Sequence, residues 1–151
     1  MQDWLEILPT PLPTEKAIAF VSDPTAGGVT LFLGTTRNEN HPTTHHPLAA
    51  LDYEAYPELA ARQLSDLAKS ARQKWPILHL AILHRTGRVP PAQPSVVIAV
   101  STPHRAESFE ATRYLIDTLK SEVAIWKKEV WSDGTTTWVD PTIPPSPPPP
   151  L

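Results

Sequence analysis

Apolar and polar positions alternate along this chain with two periods, and the switches between them outline its elements. Gly27 to Arg37 and Leu48 to Tyr56, rich in Val, Thr, Leu, Phe and Tyr, read as strands joined by the polar, Pro- and His-containing stretch Asn38 to Pro47. From Pro57 to Trp75 the positions Ala60, Leu64, Leu67, Ala68, Ala71 and Trp75 recur at helical spacing, with Pro57 suited to a first turn and Pro76 closing the segment. Ile77 to Arg85 and Ser95 to Ser101 are β-branched and Leu-rich, and predict a hairpin around the turn material Gly87 to Pro94. Thr102-Pro103 is an N-cap and first-turn pair for a second long helix running to about Val123, with Phe109, Thr112, Ile116, Leu119 and Val123 on one face. Ile125 to Trp131 and Thr135 to Val139 read as short strands around Asp133-Gly134. Ahead of all these, a short opening segment leads to a brief helix, Thr14 to Ser22, with Thr14 as N-cap, Ala17, Ile18 and Val21 on one side, and Asp23-Pro24 as its end. The order of the main elements, β-β-α-β-β-α-β-β, predicts an α+β fold with a mostly antiparallel sheet and two main helices. One domain is expected over residues 1–140. Pro141 to Leu151 is dominated by proline, which has no amide hydrogen for a ladder and favours polyproline II; it reads as a disordered tail or, alternatively, a ligand for an SH3- or WW-type module.

Composition narrows the chemistry. A chain of 151 residues can bury a core without disulfides or a structural metal. No apolar run approaches the ~20 residues that span a bilayer. The opening Met-Gln-Asp-Trp-Leu-Glu carries acids where a targeting peptide carries bases, so a cytosolic location and no membrane partner are expected. The sequence contains no cysteine, which removes thiol nucleophiles, Cys-based zinc sites and persulfide relays together. Any sulfur handled here must be brought by another molecule. A net charge of −3 argues against a general nucleic-acid binder, which needs an excess of Lys and Arg over a broad face.

The remaining candidates are cationic. His104 and Arg105 fall at the second and third positions of the helix expected from Thr102-Pro103, where free amides and the helix dipole favour an anion such as phosphate. The alternative pairs Arg105 with Glu107 or Glu110 on a solvated face. Lys120 lies on the last turn of that helix, where a lysine is a favourable dipole partner whatever else it does. Lys127 and Lys128 follow on the next strand; alternation sends Lys127 and Glu129 to one face and Lys128 to the other, so one of the two at most can share a pocket with Lys120. Two ammonium groups held together lower each other's pKa from the ordinary value of about 10.4, which makes a lysine a usable proton carrier or nucleophile. Arg37 and Asn38 end the first long strand, and His84-Arg85 ends another. His41, His45 and His46 crowd one loop, but no carboxylate stands at tight ligand spacing, and no metal or other cofactor is expected. The five tryptophans are scattered and read as packing.

Taken together, Phe32-Leu-Gly-Thr-Thr-Arg-Asn38, Tyr53-Glu-Ala-Tyr56, His84-Arg-Thr-Gly87, His104-Arg105, Lys120 and Ile125-Trp-Lys-Lys-Glu129 resemble the large, catalytic subunits of molybdopterin synthase, from about Gly27 to Trp138. The form Gly34-Thr-Thr-Arg-Asn38 is closer to eukaryotic members than to bacterial ones. The resemblance implies an α/β hammerhead-like fold and a sulfurtransferase that converts cyclic pyranopterin monophosphate to molybdopterin. It further implies a small ubiquitin-like subunit, whose C-terminal Gly-Gly thiocarboxylate supplies both dithiolene sulfurs, and a homodimer of large subunits within a heterotetramer. The same resemblance maps the essential lysine to Lys120, its partner to Lys127, and anion binding to Arg37, His104 and Arg105, with Thr35, Thr36, Lys128 and Glu129 completing the pocket. Ala124 departs from a proline common in the family, and the proline-rich end has no usable counterpart. A non-catalytic phosphate- or nucleotide-binding module is the alternative reading, and a scaffold recruiting partners through its proline-rich end is a third.

Overall fold

A computed structural model describes residues 1–139; the proline-rich segment and the tail expected there lie outside the described residues. The element order is β1 (Gln2–Leu8), α1 (Thr14–Val21), β2 (Gly28–Thr35), β3 (Leu48–Ala55), α2 (Pro57–Lys74), β4 (His79–Arg85), β5 (Gly87–Val89), β6 (Pro94–Thr102), α3 (Arg105–Glu122), β7 (Ile125–Trp131) and β8 (Thr136–Trp138). The strands form two four-stranded sheets, ordered β1-β4-β6-β2 and β5-β3-β7-β8, where the sequence pattern suggested one. Every pairing is antiparallel except β1 with β4.

The first sheet is covered on both faces, which is why β4 and β6 read as nearly continuous apolar runs. Leu80, Ile82, Val96, Ile98 and Val100 face α2 and α3 and pack with Leu64, Leu67, Leu115 and Leu119. The intervening residues Ala81, Leu83, Val97 and Ala99 face the other way, against Ala17 and Val21 of α1. The second sheet has its own small core of Leu48, Leu51, Tyr53, Val89 and Trp131. The predicted β4–β6 hairpin forms, but the turn material between them also contains β5, which pairs with β3 in the other sheet and so stitches the two sheets together.

Two helix starts and two side-chain placements differ from the sequence pattern for physical reasons. Thr102 does not cap α3: its backbone pairs with Gly28 on the β2 ladder and its carbonyl accepts from the Gly27 N–H, and the following Pro103 favours extended backbone at Thr102. His104 is therefore the N-cap, with extended φ/ψ of −129° and 149°, and Arg105 the first helical residue. Phe109 is 64 % exposed and does not share the core face; the buried stripe runs Ser108, Ala111, Thr112, Leu115, Ile116, Leu119, one position earlier in the turn. Small residues let this end of α3 approach β2, since a Cβ at Gly28 would stand 2.7 Å from the Arg105 Cα. In α1 the N-cap is Pro13 rather than Thr14, and Ile18 is exposed.

Candidate active site

The two sheets and the C-terminal end of α3 enclose a cavity of about 270 Å³. Gly34 and Thr35 from β2, His84 from β4, Ser95 and Val96 from β6, Leu51 and Tyr53 from β3, and Ile125 to Lys127 from β7 line it, with Ile116, Leu119 and Lys120 from α3 and Val139 beyond β8. It forms where it does because α3 ends there: the helix presents Ile116 and Leu119 to the core, and Lys120, the next residue round, is exposed at the rim. The Val123 N–H closes the helix on the Leu119 carbonyl, and the Ala124 N–H donates to Gln63 Oε1 at 2.7 Å. That turn delivers β7 to the opposite wall, with no need of proline at position 124.

Pairing with β3 fixes which β7 side chains reach the cavity. Lys127 lies directly across from Tyr53 and Glu129 across from Leu51, so these four share one face of the sheet. Lys128 lies across from Asp52 on the other face, where its Nζ is 3.8 Å from Glu54 Oε1 and 5.4 Å from the centre of the Trp138 ring. Lys120 and Lys127 are thus brought to one cavity and Lys128 is kept out of it. Glu129 is held up to about pH 7 in its titration, first by burial, then by a hydrogen bond to and repulsion from Glu39, while the Lys127 charge acts in the opposite direction.

His84 is a cavity residue that strand-end position alone did not single out. Leu80, Ile82 and His84 alternate onto the helix-facing side of β4, and the imidazole is only 4 % exposed. Its Nδ1 donates to the Arg85 carbonyl at 2.9 Å, and its ring meets Tyr53 edge-on at 5.0 Å. Burial holds its pKa down to about 4, assisted by the charges of Lys120 and Lys127 and opposed by the bond to Arg85. A polar residue at the next step of an apolar β-period was the available signal. Burial also pushes the Tyr53 phenol up.

Most of the other candidates stand apart. Thr35 lines the cavity, while Thr36 is buried, its N–H bonded to the Gln93 carbonyl and its hydroxyl without a partner. Arg37, His104 and Arg105 are exposed and do not line it. Arg105 forms no ion pair with Glu107 or Glu110 among the described residues; Glu110 instead accepts from the Trp75 indole at 2.9 Å. The α3 helix runs uninterrupted from Arg105 through Glu122, so at ~1.5 Å per residue its first residue lies about 22 Å along the axis from Lys120. The loop histidines have local roles: His41 Nδ1 accepts from the Thr43 and Thr44 N–H groups, and His46 is 3.7 Å from Asp133. No helix among the described residues is long and apolar enough to cross a membrane.

Known proteins share both this sequence and this architecture. The family model described as MoaE protein matches residues 7–122. The molybdopterin synthase catalytic subunit of Rattus norvegicus is 41 % identical over 137 residues, covering 91 % of this chain and 67 % of its own length. That of Taeniopygia guttata is 44 % identical over 135 residues, covering 87 % of this chain and 84 % of its own. The crystal structure of molybdopterin synthase from Staphylococcus aureus superposes with a TM-score of 0.81 at 34 % identity, over 89 % of this chain and 95 % of the other. With the match spanning both long helices and the first sheet that packs on them, the chain belongs to the MoaE protein family, that of the molybdopterin synthase catalytic subunits.

Proposed function

We propose that this chain converts cyclic pyranopterin monophosphate to molybdopterin, installing two dithiolene sulfurs delivered as the C-terminal Gly-Gly thiocarboxylate of a small ubiquitin-like subunit, in the cytosol. The observation that carries this reading is the cavity with Lys120 and Lys127 on its walls. Substrate phosphate and carrier thiocarboxylate are both anions, and paired cations hold them together for attack. Lys120 at the rim is the main acid/base or covalent-handling residue and Lys127 its partner. Thr35 completes the cavity wall, with Thr36 buried beside it and Glu129 on the same face of β7 as Lys127, and Lys128 braces the β7 wall from its outer face. The absence of cysteine from the sequence supports a sulfur source on a second protein.

Arg37, His104 and Arg105 bind the phosphate in this reading, His104 and Arg105 from a second copy of the chain. A small phosphate cannot bridge the length of α3, whereas a two-fold homodimer, flanked by small subunits in a heterotetramer, can set one copy's helix start beside the other's Lys120. Exposed Val29, Leu31 and Leu33 on edge strand β2, with Phe109 nearby, give a second copy an apolar face to cover. A non-catalytic phosphate-binding module built on the α3 start would leave the lysine cavity without a purpose. The deciding experiment incubates the protein with thiocarboxylated small subunit and the pyranopterin precursor and follows product by mass spectrometry. Formation of the dithiolene product is expected; precursor binding without turnover would favour the binding module.

A further inference from the structure

Building on that reading, we infer that His84 is a fixed hydrogen-bond acceptor on the cavity wall, one that reads an N–H group beside the anionic end of a substrate. The first support is its place. Continuing the Leu80, Ile82 alternation, a leucine would pack at this position, and a buried polar ring costs stability unless its hydrogen-bonding capacity is used.

The second support is its tautomer. The Arg85 carbonyl can only accept, so the 2.9 Å contact places the imidazole hydrogen on Nδ1 and leaves Nε2 with a bare lone pair. The edge-on Tyr53 ring, 5.0 Å away, restrains the imidazole plane. Charge then keeps the ring in that state: Lys120 from α3 and Lys127 from β7 both oppose a third positive charge in the cavity, and burial opposes it more. The result is a cavity wall with two groups that attract negative charge and one that accepts a hydrogen bond at neutral pH. A ligand satisfies all three when it presents an N–H close to its anion. Two parts of the proposed reaction carry that chemistry, the ring N–H groups of the pterin and the terminal amide N–H of the Gly-Gly carrier.

Steady-state kinetics of the full chain, varying each substrate with the other saturating, tests the inference and separates the two sources. His84→Phe keeps a ring of similar volume and removes the acceptor, while His84→Gln returns an acceptor close to the position of Nε2. An N–H left unpaired on binding raises KM by about ten-fold or more. We expect His84→Phe to raise KM for one substrate by that factor, leave the other KM nearly unchanged, and be partly rescued by His84→Gln. A rise for the pyranopterin identifies the pterin N–H, and a rise for the small subunit identifies the terminal amide. Unchanged KM values in a folded His84→Phe protein overturn the inference, as does a shifted pH profile of kcat with both KM values intact, which would mean that His84 acts on the lysines instead. If His84→Phe does not fold, nitrogen-15 NMR of the wild-type imidazole decides the matter. The Nε2 resonance should move towards the hydrogen-bonded range on adding either the precursor or carboxylate-ended small subunit, and no movement with either overturns the inference. Failure of the underlying function would look different, because wild-type protein would then form no product.

Discussion

Lys120 stands exposed at the rim of the cavity, so its removal should be felt in chemistry rather than in folding. Lys120→Ala is expected to abolish dithiolene formation while stability changes by no more than about 0.5 kcal/mol. A melting temperature that collapses along with activity would assign the residue a structural role. For the adjacent pair on β7, Lys127→Ala should lower kcat far more than Lys128→Ala, because only Lys127 shares the Tyr53 face, while Lys128 is turned towards Glu54 and Trp138. Comparable losses in both variants would count against a site confined to one face. Glu129 offers a pH test with a definite sign. Its pKa in the fold, about 7, is above the ordinary 4.5, so the native state holds a proton that the unfolded chain releases, and this group makes stability fall as pH rises between those values. Thermal melts across that window should show a flatter pH dependence for Glu129→Gln than for wild type. A constant offset between the two would remove the shared proton with Glu39.

At the scale of elements, α3 carries most of the positioning. Its middle turns are anchored by Leu115, Ile116 and Leu119, and its start lies so close to β2 that glycine is required there. Gly28→Ala forces a methyl group to within 2.7 Å of the Arg105 backbone and is expected to cost about 1–3 kcal/mol by overpacking, measured by denaturant unfolding. A neutral result would mean that the start of the helix can shift away from the sheet. The long helices and the paired strands β4 and β6 were legible in the sequence because each presents many periodic positions to a large core. The α3 start lies two residues beyond the position that Thr102-Pro103 predicts because Thr102 has two competing uses, cap or ladder, and the partner that decides between them, Gly28, is far away in sequence. Helical spacing with Thr112 and Ile116 puts Phe109 on the core face, whereas the stripe actually buried there begins with the smaller Ser108, which fits against Gly28.

For the whole molecule, the proposal of a site completed by a second copy rests on the separation of the α3 start from Lys120. Mixing inactive Arg105→Ala with inactive Lys120→Ala protein should restore up to about a quarter of wild-type activity, since half of randomly exchanged dimers are mixed and each has one intact site of two. Mixed dimers that form and stay at background would overturn the shared site, because the uninterrupted helix leaves no other way to bring its ends together. The sequence by itself determined the α+β class, most element positions and the opposite facing of Lys127 and Lys128, since all of these follow from local periodicity; the choice of Lys120 and Lys127 as the working pair came from the family resemblance. Tertiary structure decided the rest. β1 carries no clean alternation and exists as a parallel edge strand because β4 offers it a ladder. The three-residue β5 is defined by its partner β3, and with it the division into two sheets. His84 became part of the site only when the end of α3 and the face of β7 closed over it, bringing together charges that lie more than thirty residues away along the chain. Local pattern records which face a side chain takes; what stands opposite that face is settled by long-range packing.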